Sequence, residues 1–345
     1  MHGAPEIRLT ENETATALVD SFGRQHTYLR ISLTEKCNLR CTYCMPAEGL
    51  QLSPSDHLMT ADEVIQIAQE FVAMGVQKIR LTGGEPLLRR DAADILKRLA
   101  ELPVELAITT NGLLLDKFLP LFHELGIKQI NLSLDTLDPE RFHRLTRRNQ
   151  FDRVMNNIQL ALREGFRPGI NVVLLRDQND DEITRFIDLT SEWPLKIRFI
   201  EFMPFSGNSW DRSRLVSLAE VLKKAGEEFG PDRLERLQDK PNDTSKNFKV
   251  KGFAGSFSVI STVTNPFCDS CNRIRLTANG RLKNCLFSKG ETDLLSALRQ
   301  GQSIRELIQE NLRAKKFTRA GMDTMNSFAN PTNNQDNRSM ILIGG

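Results

Sequence analysis

The chain has 345 residues, 40% hydrophobic and 26% charged, so it is long enough for about two domains with buried cores. Its formal net charge of +2 gives no strong field that would favour nucleic acid or an anionic membrane as a partner. No apolar run approaches the ~20 residues that cross a bilayer, and the polar, acidic start of the chain lacks the apolar segment of a secretory signal. We therefore expect a cytoplasmic protein that binds neither nucleic acid nor membrane.

From about Thr27 the sequence alternates short β-type segments with amphipathic helical segments. The predicted strands are 28–33, 78–82, 105–109, 129–134, 169–175 and 196–202. The predicted helices are 61–74, 92–102, 117–125, 151–164, 181–191 and 218–229. Six βα units in succession favour a parallel α/β sheet, either doubly wound or curled into a partial barrel.

The sequence changes character after Pro231. Residues 248–263 are predicted as β structure, and two alternating segments joined by Asn279-Gly280 predict a tight hairpin. Two more helices are predicted near 293–300 and 304–312. We expect three parts: an N-terminal extension (1–26), a barrel-like domain (27–235) and a C-terminal α+β region (236–345).

All six cysteines fall into two triplets. The first is a C-x3-C-x2-C run of Cys37, Cys41 and Cys44, and the second is a C-x2-C-x13-C set of Cys268, Cys271 and Cys285. Three thiolates are one ligand short of saturating a zinc ion or a cubane iron–sulfur cluster. Each site would keep one metal position open for a molecule that binds or reacts. The first triplet follows the first predicted strand, at the sheet edge where βα proteins bind ligands.

Structural zinc is the alternative at both triplets. Of the five histidines only His57 lies near the first triplet, without the spacing of a zinc finger. No histidine follows His143, so zinc at the second triplet would need a ligand such as Asp269. Two further functions therefore stay open: a zinc-stapled module that binds nucleotides or nucleic acid through its arginines, and a ferredoxin-like electron carrier, although carriers use four thiolates per cluster.

The segment CNLRCTYC resembles the cluster-binding loop of the radical S-adenosylmethionine (SAM) superfamily. The resemblance implies an incomplete (βα)6 barrel of the TIM type, with a [4Fe–4S] cluster on Cys37, Cys41 and Cys44. SAM would chelate the open iron and yield a 5′-deoxyadenosyl radical. The implied SAM contacts are the aromatic Tyr43, Gly84 and Glu85 of the GGEP element, Ser133 and Met203.

The segment FCDSCNRIRL, with Cys285 on the returning strand of the hairpin, resembles the GTP 3′,8-cyclase family of molybdenum cofactor biosynthesis. That family implies a second [4Fe–4S] cluster on Cys268, Cys271 and Cys285, whose open iron binds the guanine of GTP. The implied reaction turns GTP and SAM into (8S)-3′,8-cyclo-7,8-dihydroguanosine 5′-triphosphate, 5′-deoxyadenosine and methionine, after abstraction of the ribose 3′ hydrogen. The nearest alternative is a two-cluster radical SAM enzyme that modifies a peptide, although such enzymes usually carry more than three cysteines in this region.

Arginines supply the expected triphosphate contacts. Arg273 and Arg275 are two residues apart on one predicted strand, so their side chains share a sheet face and suit a triphosphate. The resemblance adds Arg30, at the end of the first strand, and gives these three arginines the catalytic role. The remaining GTP contacts that it implies are Arg80, Thr109 and Arg198.

Two further expectations depend on the resemblance. Gly169 departs from the family, which often carries a GTP-binding lysine at this position, and Arg167 is a nearby cation that could replace it. Gly344-Gly345 would by itself be a frayed terminus, but the tail of the family enters the active-site cavity. The family also implies a homodimer, a reductase or flavodoxin-type electron donor, and transfer of the product to cyclic pyranopterin monophosphate synthase.

Overall fold

The computed structural model describes residues 17–46, 49–330, 332–333 and 337–344. One sheet runs through these residues. Its strands are β1 Tyr28–Ser32, β2 Lys78–Thr82, β3 Glu105–Thr110, β4 Gln129–Ser133, β5 Gly169–Leu174, β6 Lys196–Glu201, β7 Leu234–Arg236, β8 Lys246–Val250, β9 Ser256–Ile260, β10 Arg273–Leu276, β11 Arg281–Lys283 and β12 Thr292–Asp293.

The helices pack around this sheet. In the described residues they are α1 Ala61–Ala73, α2 Ala92–Ala100, α3 Leu115–Glu124, α4 Pro139–Thr146, α5 Phe151–Arg163, α6 Ile183–Asp188, α7 Leu218–Phe229, α8 Leu294–Arg299, α9 Arg305–Arg313, α10 Met325–Ala329 and α11 Met340–Ile343. None of them combines the length and the apolar character that a bilayer crossing requires.

The sheet confirms the predicted incomplete (βα)6 barrel. Strands β1 to β6 are parallel and lie in chain order. The C-terminal region extends this sheet at both sides, because β10 pairs parallel with β1 and β9 pairs parallel with β6. The antiparallel strands β11, β12, β8 and β7 complete the two edges.

Residue alternation gives the barrel an apolar outside and a polar inside. Leu29 and Ile31 of β1 are fully buried in the hydrophobic core under the helices, whereas Tyr28 and Arg30 line an internal cavity. Parallel strands are usually apolar on both faces. The polar inner face of this barrel therefore marks a ligand cavity instead of a packed interior.

Local capping signals fix several helix ends. Thr60 and Glu63 form the predicted capping box at the start of α1. Gly75, Gly126 and Gly165 follow three helices with φ of +101°, +66° and +82°, a left-handed conformation that glycine adopts without steric cost.

The crossing loop, residues 261–272, carries Cys268 and Cys271 of the second triplet along the open side of the barrel. It leaves β9 at the carboxyl edge of the parallel sheet and enters β10 at the amino edge. Glu201, the last residue of β6, anchors its start by accepting hydrogen bonds from Val263 N at 2.8 Å and Thr264 N at 3.0 Å. The two cysteine triplets therefore lie toward opposite ends of the barrel.

Two helices and one predicted domain boundary differ from the sequence predictions. Helix α4 was not predicted, although Asp138 caps it and Pro139 occupies its first turn. Residues 180–182 form a 3-10 turn, so the helix expected over 181–191 shortens to α6. The boundary expected between residues 235 and 236 falls inside β7, and residues 1–16 of the expected N-terminal extension lie outside the described residues. The three-part division stays a prediction.

Residues 17–26 form a short strap with buried polar side chains. Nε2 of His26 lies 3.1 Å from Oδ2 of Asp20. Burial, aided by the charge of Lys315, lowers the pKa of His26 to about 4. Burial opposes ionisation of Asp20, but hydrogen bonds from His26 and Arg24 outweigh it and lower the pKa of Asp20. Neutral His26 therefore donates to ionised Asp20 at neutral pH.

This pair predicts a loss of stability in mild acid. Because the pKa of His26 is lower in the folded chain than its ordinary value of 6.5, the unfolded chain binds the proton first as pH falls from 6.5 to 4. Between pH 7 and pH 5 the wild type should lose about 2 kcal/mol of unfolding free energy relative to His26→Gln. Urea unfolding at both pH values measures this difference, and an equal pH response of the two proteins would contradict the assignment.

Candidate active site

The parallel strands enclose a cavity of about 440 Å³ with a strong excess of positive charge. Three carboxylates among the described residues line it: Asp135, Glu201 and Asp243. Twelve basic residues line it: Arg24, Arg30, Lys78, Arg80, Lys196, Arg198, Arg273, Arg275, Lys283, Lys315, Lys316 and Arg319. Such a lining favours a ligand with several negative charges.

A smaller cavity of about 120 Å³ adjoins the first at the carboxyl ends of the strands. Cys37 and Cys41 line it, together with Gly84 from the turn after β2. Tyr43 and Ser133 line both cavities. The two cavities therefore adjoin at Tyr43 and Ser133.

The first triplet is a set of half-buried free thiols. Burial, aided by the charge of Cys37, raises the pKa of Cys44 to about 12. Burial, aided by the charge of Asp135, raises the pKa of Cys41 well above its usual range. Over the described residues, no three His, Cys, Asp or Glu side chains converge as on a single metal ion. The thiolates of a cubane bind different irons and need not converge on one point, so an all-thiolate triplet suits such a cluster.

Two glycines let the turn after β2 pack on the cysteine loop. A Cβ on Gly84 would lie 2.3 Å from the carbonyl oxygen of Lys36, and a Cβ on Gly83 would lie 2.6 Å from that of Thr34. Gly84 N instead donates to Thr34 O at 2.7 Å. The predicted GGEP element is therefore a close backbone approach beside the first triplet.

Glu85 of the same turn lines neither of the two cavities. Its fully buried carboxylate accepts hydrogen bonds from Thr110 Oγ1 at 2.7 Å and Asn111 N at 2.7 Å. Burial raises its pKa to about 7 against these hydrogen bonds. The side chain thus fixes the turn to the end of β3, and its expected SAM contact would come through the backbone that it positions.

Tyr43 is tethered at the wall between the two cavities. Its hydroxyl donates to Asp135 Oδ2 at 2.6 Å, and Asp135 Oδ1 accepts from Val173 N at 2.8 Å. Burial raises the pKa of Asp135 to about 6 against these bonds. Ser133 and Met203 also line the larger cavity, so the predicted SAM residues with cavity contacts converge on this region.

Three arginines form a row across neighbouring strands. Arg30 lies in the middle of β1, and the prediction that it ends the strand is wrong. It is in register with Arg275 on β10 and Arg80 on β2. Burial and the charge of Arg275 lower the pKa of Arg30 to about 9. Arg273 lies one pleat below Arg275 on the same face, as predicted, and both line the cavity.

Hydrogen bonds to uncharged groups hold part of this arginine row in place. Arg80 donates from Nε to the hydroxyl of Tyr28 at 2.5 Å, and from Nη1 to Ile108 O at 2.8 Å and Thr109 Oγ1 at 3.3 Å. Among the described residues the buried Nε of Arg275 has no hydrogen-bond partner. This donor can therefore serve an anion in the cavity.

Arg167 does not replace the family lysine. It is exposed at the start of β5 and does not line the cavity, so that expectation is wrong. The cations nearest to Gly169 are Lys196, its register partner on β6, and Arg198, whose Nη1 donates to Asn131 Oδ1 at 2.7 Å.

The second triplet lines the same large cavity from the crossing loop and the hairpin. Cys268 and Cys271 precede β10, and Cys285 follows β11. Burial opposes ionisation of Cys271, but the charges of Arg273 and Lys315 outweigh it and lower its pKa to about 6. A thiolate at this position is the form that binds metal.

Two cations that the sequence did not single out brace this triplet. Arg24 Nη1 donates to the carbonyl oxygens of Cys268 at 2.6 Å and Phe317 at 2.8 Å. Lys315 Nζ donates to Asn284 O at 2.5 Å and lies 3.7 Å from Cys271 Sγ. These contacts join distant parts of the chain, so no local motif announces them.

The C-terminal tail reaches the site, as expected. The carbonyl oxygen of Gly344 accepts from Thr82 Oγ1 at 3.3 Å. A Cβ on Gly344 would lie 2.8 Å from Cβ of Ser32, so glycine fits the space between β1 and β2. Gly345 lies outside the described residues.

Two family models match the chain. The Radical SAM superfamily model covers residues 31–190, and the Molybdenum Cofactor Synthesis C model covers residues 195–320. The chain is 47% identical to "GTP 3′,8-cyclase, mitochondrial" of Arabidopsis thaliana, over 98% of this chain and 86% of the relative. It is 41% identical to "GTP 3′,8-cyclase" of Listeria monocytogenes, over 85% of this chain and 89% of the relative.

A human relative is longer than this chain. "Molybdenum cofactor biosynthesis protein 1" of Homo sapiens is 45% identical over 94% of this chain, which spans 51% of that protein. Solved structures agree on the fold. SAM-bound SuiB of Streptococcus suis matches with a TM-score of 0.55 and 19% identity, over 79% of this chain and 65% of the other. Native anSMEcpe with bound AdoMet matches with a TM-score of 0.56 and 16% identity, over 83% of this chain and 80% of the other.

The hydrogen bond from Arg24 to the Cys268 carbonyl yields a prediction. Arg24→Ala removes the donor to the Cys268 carbonyl, so the crossing loop should hold metal less tightly. After anaerobic reconstitution and gel filtration, we expect the variant to retain about half of the wild-type iron, since the first triplet is untouched. The exposed Arg163→Ala is the matched control and should retain all of it. Wild-type iron content in Arg24→Ala would contradict the bracing role.

Proposed function

Because this chain belongs to the GTP 3′,8-cyclase family of the radical SAM superfamily, we propose that it converts GTP and SAM into (8S)-3′,8-cyclo-7,8-dihydroguanosine 5′-triphosphate, 5′-deoxyadenosine and methionine. This is the first step of molybdenum cofactor biosynthesis. Its cofactors are SAM and two [4Fe–4S] clusters.

One observation carries the proposal: a strongly cationic cavity joins the two cysteine triplets. The second triplet lines this cavity directly, and Cys37 and Cys41 of the first triplet line the smaller cavity that adjoins it. A nucleotide with its guanine at one triplet and its ribose facing the other fits this arrangement. The arginine row then lies where a triphosphate has to be bound.

The thiol sets fit the two clusters by number, burial and chemistry. Cys37, Cys41 and Cys44 would hold the first cluster, and Cys268, Cys271 and Cys285 would hold the second. When bound and reduced, the first cluster with SAM supplies the 5′-deoxyadenosyl radical that removes the 3′ hydrogen of the ribose.

The chain's own residues bind and orient the substrate. Arg30, Arg273 and Arg275 provide charge-assisted hydrogen bonds to phosphate, and the rigid strands fix their positions. Arg80, Thr109 and Arg198 continue the polar wall along β2, β3 and β6. With both ends of the nucleotide held, proximity selects one ribose C–H bond among several.

Tyr43 lies where the cavities of the two reactants meet. The Tyr43–Asp135 hydrogen bond holds the phenol at the junction of the two cavities. Stacked Phe205 and Phe287, with ring centroids 5.8 Å apart, also line the large cavity. These apolar rings limit the water that reaches a reactive carbon.

The family resemblance supports several finer points of this proposal. They are a homodimer, a reductase or flavodoxin-type electron donor, and delivery of the product to cyclic pyranopterin monophosphate synthase. The cytoplasm is the proposed compartment, because it keeps thiols reduced and available for metal.

The reaction can be tested directly. Anaerobic protein reconstituted with iron and sulfide is incubated with dithionite, SAM and GTP, and the products are separated by mass-resolved chromatography. We expect 5′-deoxyadenosine together with a cyclised isomer of GTP, and Cys44→Ala should abolish both.

Two results would overturn parts of the proposal. Formation of 5′-deoxyadenosine without consumption of GTP would retain the SAM chemistry and remove GTP as the substrate, which favours a peptide-modifying enzyme. Binding of zinc in place of iron at both triplets would remove the enzyme function itself.

The arginine row yields a second prediction. Arg275→Ala removes a buried guanidinium whose Nε has no partner within the described residues. Since hydrogen bonds to charged groups contribute about 1.5–3 kcal/mol, GTP affinity should fall by about tenfold to a hundredfold. Isothermal titration calorimetry under anaerobic conditions measures the GTP affinity. Arg212→Ala is the control, because Arg212 is exposed and does not line the cavity. Equal affinities of Arg275→Ala and Arg212→Ala would exclude Arg275 from the phosphate site.

A further inference from the structure

The guanidinium of Arg198 lies over Gly169, in the space that a side chain would otherwise occupy. A Cβ on Gly169 would lie 2.1 Å from Nη1 of Arg198 and 2.8 Å from its Cζ. The φ angle of Gly169 is not in the left-handed region. Glycine is therefore needed here for space and not for backbone conformation.

The sheet register shows what this space permits. Gly169 on β5 pairs with Asn131 on β4 and with Lys196 on β6. Arg198 is the next inward-facing residue of β6, and it reaches back across β5 to donate to Asn131 Oδ1 at 2.7 Å. One arginine thus spans three strands and is held at its far end.

The held guanidinium belongs to the cationic wall of the large cavity. Arg80 Nη1 donates to Thr109 Oγ1 at 3.3 Å, and Thr109 on β3 is the register partner of Asn131, which holds Arg198. The two guanidinium groups are therefore anchored on paired residues of neighbouring strands, and burial with the charge of Arg80 lowers the pKa of Arg198 to about 10. Tyr28 and Asp243 also face this pair and favour its charged form. Two fixed cations side by side suit a polyphosphate better than a single mobile one.

We propose that Gly169 is a positioning residue for the triphosphate of GTP. Its missing side chain lets Arg198 cross β5 and be held on Asn131, where Arg198 and Arg80 form a preorganised pair of cations. The proposal rests on the proposed function, because the phosphates concerned are those of GTP. This chain therefore supplies a cation to the β5 wall from the neighbouring strand.

Gly169→Ala tests this without removing any charge. The added methyl group collides with the far end of a flexible side chain, so it should displace the guanidinium and leave the fold intact. The matched control is Gly290→Ala, because a Cβ at Gly290 meets nothing within 4 Å. Affinities for GTP and for guanosine are measured by anaerobic titration of the reconstituted full chain.

We expect Gly169→Ala to bind GTP about tenfold more weakly, with guanosine affinity unchanged and Gly290→Ala like the wild type. In a protein that already carries Arg198→Ala, adding Gly169→Ala should not lower GTP affinity further. The guanidinium that the methyl group would displace is then absent, and the double-mutant cycle shows this as non-additivity. Asn131→Ala should show the same selective loss, since it removes the other anchor of Arg198.

Three results would overturn the proposal: unchanged GTP affinity in Gly169→Ala, an equal loss for guanosine, or a full additional loss in the Arg198→Ala background. Thermal unfolding checks that Gly169→Ala is folded. If it is not, Asn131→Ala decides, and unchanged GTP affinity in that variant overturns the proposal. A wild type that binds GTP no more tightly than guanosine would instead refute the GTP site itself, and the role of Gly169 with it.

Discussion

The structure depends on positive charge that the barrel holds inside one cavity with few negative partners. Arg30 lies between Arg275 and Arg80 on neighbouring strands, and burial with like-charge repulsion lowers its pKa to about 9. Such a row is costly in the absence of an anion. The surrounding apolar core, with fully buried Leu29 and Ile31 behind the same strand, provides the stability that keeps these charges in place.

The C-terminal strands turn this charged barrel into a site with two ends. Because β9 and β10 join opposite edges of the parallel sheet, the loop of residues 261–272 runs from one end of the barrel to the other. It brings Cys268 and Cys271 to the cavity, while the first triplet remains at the carboxyl ends of the strands. A substrate between the triplets is thereby held by both ends, and the strap with Arg24 stabilises the far end.

The sequence predicted those parts of the fold that depend on local signals. The barrel strands, the capping box at Thr60 and the hairpin at Gly280 were all expected, because alternation, caps and turns are encoded by neighbouring residues. The cysteine triplets were found by spacing. The bracing by Arg24 and the crossing of Arg198 over Gly169 were not predictable, since each depends on residues brought together only by the folded sheet.

If the cavity holds a triphosphate, inorganic tripolyphosphate should stabilise the folded chain against thermal unfolding. The ion carries the charge of the substrate without its base or sugar. We expect tripolyphosphate to raise the Tm well beyond the effect of sodium sulfate at the same ionic strength, and GTP to compete with it. A Tm that depends on ionic strength alone would show that the cavity has no triphosphate site.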